Sequence, residues 1–164
     1  SNKFIVLELN KYTKHEEVKE KFIPILRTIM AEIDVTVVRT GIRYINEFGN
    51  NGIKPQIGYF NKPTSALADS KIFSNESIHP IRVMALNEYN VGDMKLNFRY
   101  GQYNQQYPQP IKQMNFVLDY DCFCEEPLHG LENIIDHIDK GHDAIQILFE
   151  NTITDKLRKV MKGE

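Results

Sequence analysis

The sequence predicts an α+β domain: a five-stranded antiparallel sheet in the order β-α-β-β-β-β-α, with both long helices on one face. Three observations predict it. Apolar and polar residues alternate over 94–103 and 114–124, the period of half-buried strands. Apolar stripes at helical spacing occupy both ends of the chain. Between two strand-like runs, Asn90-Val91-Gly92-Asp93 reads as a hairpin turn.

Taken in order, residues 4–9 (FIVLEL) read as the first strand. Thr13-Lys14-His15-Glu16 matches a capping box, and Val18, Phe22, Ile25, Leu26, Ile29, Met30 and Ile33 recur on one helical face. Pro24 removes a backbone donor there, which predicts a kink or two short helices. Residues 35–48 form the second strand, with Val38, Ile42 and Tyr44 on one side and Arg39 and Arg43 on the other; Gly41 signals a bulge or a close backbone approach. The stretch 49–80 is broken by Pro55, Pro63 and Pro80, with a short helix over 65–73, and reads as a functional loop or a cover for a sheet edge. Residues 81–89 and 94–103 form the hairpin, and 101–113 a Gln/Tyr-rich loop. The fifth strand, 114–124, carries Met114, Phe116, Leu118, Tyr120 and Cys122 on one face, and Asn115, Asp119 and Asp121 on the other. The C-terminal quarter is helical, with Gly141 a possible bend and Thr152-Ile153-Thr154-Asp155 a capped restart.

At 164 residues the chain fits one domain that buries roughly two thirds of its unfolded surface. It opens on Ser1-Asn2, in the manner of a tag remnant, and a strand-like run follows at once, so it reads as a domain cut from a longer protein. A net charge of −2 gives no global attraction to nucleic acid or anionic lipid. No apolar run reaches membrane-spanning length, so no membrane partner is expected. In an extended segment Cys122 and Cys124 would lie about 6.5–7 Å apart, at the limit for a disulfide, and read as reduced thiols of a cytoplasmic protein.

This β-α-β-β-β-β-α order resembles the TATA-binding-protein-like and helix-grip folds. Three segments also carry a family resemblance: Arg39-Thr40-Gly41-Ile42-Arg43-Tyr44-Ile45-Asn46; Leu118-Asp119-Tyr120-Asp121; and His142-Asp143-Ala144-Ile145 leading to Phe149-Glu150-Asn151-Thr152-Ile153-Thr154. Together they resemble an uncharacterised, sporadically distributed prokaryotic family whose members extend further at the N-terminus, which implies that this chain is the C-terminal domain of a longer protein. That resemblance implies no activity.

On the predicted sheet, Arg39, Arg43, Lys95, Arg99, Asp119 and Asp121 share the face opposite the helices. Such a face suits cross-strand Arg–carboxylate pairs that are solvated or covered by another chain or by an N-terminal part of a longer protein, or else an anion or nucleic-acid backbone, or a hard cation held by the two aspartates. The aspartates oppose phosphate, and two carboxylates are too few for a cation. Tyr100, Tyr103 and Tyr107 make the Gln/Tyr loop a candidate contact surface. His15, His79, His129, His137 and His142 lack metal-ligand spacing, no GxSxG elbow is present, and the glycines fit no phosphate loop. The expectation is therefore a non-enzymatic interaction module, with no catalytic residues, metal or cofactor, that forms a homodimer or binds a protein partner. Its alternatives are a helix-grip domain for a small apolar ligand and nucleic-acid binding through the arginine face.

Overall fold

The computed structural model describes residues 4–11, 14–34, 36–49, 57–68, 77–111 and 115–164. Among them the chain forms helices α1 (His15–Glu32), α2 (Lys62–Ser65), α3 (Leu131–Thr152) and α4 (Asp155–Lys162). The strands are β1 (Thr40–Phe48), β2 (Val83–Val91), β3 (Met94–Tyr103) and β4 (Asn115–Cys124). All neighbouring strands are antiparallel, in the order β1-β4-β3-β2, so the last strand in sequence is central.

This four-stranded sheet overturns the five-stranded arrangement and with it the TATA-binding-protein-like and helix-grip order. Among the described residues, 4–9 pair with no strand, and Phe4 is 89% exposed. Their apolar composition gives strand propensity, but propensity reflects packing against neighbours, and here no neighbour is supplied.

Even-numbered residues of β3 and β4 point to one side: Leu96, Phe98, Tyr100, Phe116, Leu118, Tyr120 and Cys122 are all buried there. Helix α3 lies over this side, against β1 and β4 above all, and adds Ile145 to the same cluster. Burying each such large side chain contributes roughly 1.5–3 kcal/mol. Gly141 lets the helix come close, since a Cβ there would stand 3.0 Å from Ile42 Cγ2 and 3.2 Å from Met94 Cε; α3 runs through it without a break.

Both helices were expected on the sheet, but α1 packs on α3 instead. Leu26, with Phe22 and Met30, joins Leu128, Leu131, Ile134 and Ile138 in a second cluster. Helix α1 continues through Pro24, so it is one helix rather than two, and it begins at His15 with Lys14 as N-cap; Thr13 of the expected capping box lies outside the described residues. The α4 restart has Thr154 as N-cap, but its hydroxyl donates to Gly58 O at 2.8 Å rather than to the helix.

The register of β1 on β4 is one to one from Thr40↔Cys124 to Phe48↔Phe116, so Gly41 marks a close approach and no bulge. Of the stretch 49–80, residues 57–68 bring Tyr59, Phe60 and Ala68 into the core, with Phe60 packed on Phe48 and Phe116. Of the helix expected over 65–73, residues 69–73 lie outside the described residues; helix α2 ends where it was to begin, at Ser65, and a 3-10 turn follows over Ala66–Ala68.

Candidate functional site

The odd-numbered residues of β1, β3 and β4, and the even-numbered ones of β2, face away from α3. At the centre of this face stands Asp119, whose side chain is only 9% exposed. A buried carboxylate is costly unless paired, and here two arginines pair it. Arg43 grips it as a fork: Nε donates to Oδ1 at 2.7 Å and Nη2 to Oδ2 at 2.8 Å. Arg99 approaches from β3, its Nε 3.1 Å from Oδ2 but out of line for a hydrogen bond, so this contact is a close charge pair only. Arg99 Nη2 also reaches Asp121 Oδ2 at 3.5 Å. Arg39 lies 3.7 Å from Asp121 and rests its guanidinium 4.5 Å above the Phe123 ring. The hydrogen bond to Asp119 outweighs desolvation and raises the Arg43 pKa.

Arg39, Arg43, Arg99, Asp119 and Asp121 are thus brought together as one network. Lys95 lies on the same face but pairs with Glu125, at 3.2 Å. Beside the network the sheet forms a concavity of about 470 Å³, lined by Arg43, Ile45, Met84, Leu86, Arg99 and Tyr103 among others. It opens on the side away from α3; on the α3 side Phe116, Leu118 and Tyr120 are completely buried.

The three tyrosines do not form one surface. Tyr100 has the parity of Leu96 and Phe98, and it is buried with its ring stacked 4.7 Å from Phe98. Tyr103 ends β3 at the rim of the concavity, and Tyr107 lies beneath the Arg82 guanidinium at 4.3 Å. Both cysteines are free and buried, and burial, with Asp121 nearby, pushes the Cys122 thiol up to about 11.

A second polar cluster joins α1, α3 and β1. His15 and His142 stack with ring centroids 4.0 Å apart and 3° between planes. His15 Nε2 is 2.7 Å from Asp139 Oδ1, while its Nδ1 is buried with no hydrogen-bond partner among the described residues. Lys19 also pairs with Asp139, at 3.0 Å, and Tyr44 Oη lies 3.1 Å from His142 Nδ1. Burial opposes the charge on Asp139, but hydrogen bonds from His15 and Lys19 prevail and hold its carboxyl below the usual range. The sequence reading missed this cluster. Asp139 and His142, three apart on one helix, were the available sign, but their partner lies 124 residues from Asp139.

Desolvation, then the charge of His15, lowers the His142 pKa below the ordinary histidine value, against the opposing pull of Asp143, Glu16 and Asp139. A histidine whose folded pKa is depressed contributes stability that is present above its unfolded value and lost as pH falls through the folded one. Urea midpoints are therefore expected to drop as pH falls below about 6.5, and His142→Gln should flatten that part of the profile. NMR titration placing His142 at or above the ordinary histidine value would contradict this.

No protein-family model, curated protein or solved structure matches the chain. Among the described residues no helix is long and apolar enough to cross a membrane, and no cluster of histidine, cysteine and carboxylate side chains could hold a metal ion.

Proposed function

We propose that this chain is an interaction domain that self-associates through the sheet face turned away from α3. The observation that carries the reading is the apolar exposure of that face: Ile45 and Leu86 are each 55% exposed, with Met84 and Tyr103 partly exposed around the same concavity. A helix-covered sheet whose other face is solvated ordinarily presents polar residues there. Met84 and Leu86 of β2 share this face with Tyr103, Ile45 stands across the Asp119–Arg99 pair from them, and exposed apolar side chains set among charged ones mark contact sites.

The charge arrangement fits a protein surface better than a phosphate backbone. Arg43 already commits two donors to Asp119, and Asp119 and Asp121 lie among the guanidinium groups, where they repel an anion.

Sedimentation velocity of the wild-type protein should show a dimer at micromolar concentration, and Leu86→Asp should give a monomer with an almost unchanged melting temperature, because the substituted side chain is exposed. A wild-type protein that stays monomeric over the whole accessible concentration range would refute the reading.

A further inference from the structure

The strand register arranges the uncovered face in cross-strand rows. Arg43, Asp121, Asn97 and Glu88 share one row, and Ile45, Asp119, Arg99 and Leu86 the next. The row after that holds Glu47, Val117, Gly101 and Met84. Each row runs from β1 through β4 and β3 to β2.

Two copies placed face to face can be related by a two-fold axis along the strands or across them. An axis along the strands lays each row over its own reverse. The Ile45 row then matches itself completely: Ile45 meets the partner's Leu86, and Asp119 meets the partner's Arg99. In the Arg43 row, Arg43 meets the partner's Glu88, and Asp121 meets the partner's Asn97. An axis across the strands instead sets β4 over β4, so that the aspartates of the two copies oppose one another, and like charges facing across an interface are costly.

Building on the self-association reading above, we propose that two copies pack through this face about a two-fold axis parallel to the strands, pairing Arg43 with the partner's Glu88 and Ile45 with the partner's Leu86. The residues that must meet are available: Ile45 and Leu86 are more than half exposed, Arg43 is 49% exposed, and Glu88 is exposed. Aligned sheets pack about 10 Å apart with interleaved side chains, so the partner's Ile45 packs on Leu86 and its Leu86 on Ile45 at the two sides of the concavity. Charge complementarity selects a second copy as occupant, since the same rows supply both the arginines and the acids that answer them.

Thiol cross-linking tests the axis. Ile45→Cys and Leu86→Cys are made separately, mixed, and treated with a short bifunctional maleimide; native Cys122 and Cys124 are at most 1% exposed and do not compete. Within one copy the two positions lie on the outer strands, three strand spacings or about 14 Å apart. The mixture should yield a linked dimer, whereas each variant alone should link no more than wild type. Like-with-like linking, or a dimer that gives no mixed link, overturns the axis while leaving self-association intact. A wild-type monomer overturns both. Glu88→Lys, at an exposed position, supplies an independent measurement: it sets a lysine against Arg43 and should raise the dimer dissociation constant at least tenfold. An unchanged constant counts against the pairing.

Discussion

Replacing Asp119 with alanine is expected to destabilise the domain by about 3 kcal/mol, the low end of the range for breaking a buried ion pair. Its carboxylate is almost fully enclosed and holds Arg43 by a two-point fork and Arg99 by a close charge contact. Removing it leaves two guanidinium groups facing each other across the central strand. Both arginines are partly exposed and regain some hydration, which keeps the cost from rising further. Asp121 provides the internal comparison. Its contacts, 3.5 Å to Arg99 and 3.7 Å to Arg39, are longer, and its side chain is more exposed. Asp121→Ala should therefore cost less than about 1 kcal/mol. Thermal melts read the difference directly: roughly 6–12 °C for Asp119→Ala and a few degrees at most for Asp121→Ala. The reverse ranking would show that the fork is not the centre of the network.

That network was legible in the sequence because strand side chains alternate strictly and one side of the sheet is buried. Lys95, Asn97 and Arg99 alternate with Leu96 and Phe98, and once the apolar set was assigned to the core, the charged set had one place to go. The same rule also removes Tyr100 from the contact loop, where its Gln-rich surroundings had placed it: its parity sends it inward. Local pattern was misleading wherever a partner had to be supplied by the rest of the chain. Residues 4–9 have a strand's composition without a strand beside them, and Val6 is 72% exposed. The stripe on α1 announces an apolar neighbour without saying which, and the neighbour is α3 rather than the sheet. His15, Asp139 and His142 meet only because α1 lies on α3, a packing that no short window of sequence contains.

Gly101→Ala is expected to be the most damaging small substitution in the sheet, at about 3–5 kcal/mol, combining a forbidden backbone conformation with overpacking. Gly101 has a φ of +142°, and a Cβ built on it would stand 2.1 Å from Val83 O and 2.9 Å from Met84 Cα. These are backbone atoms of the neighbouring strand, so no side-chain rotation can relieve the overlap. Either β2 moves away from β3 or the pairing of Met84 with Gly101 is lost. Gly92 separates the two contributions. Its φ is +62° in the β2–β3 turn, with nothing within 4 Å of a built Cβ, so Gly92→Ala should cost only about 1 kcal/mol. Urea unfolding of both variants measures the gap, and similar losses would mean that β2 yields freely. Strand β2 also carries Leu86 and Glu88. If its position against β3 sets the uncovered face, any Gly101→Ala protein that still folds should dimerise more weakly than Gly92→Ala, linking the close approach of two backbones to the surface on which a second copy would dock.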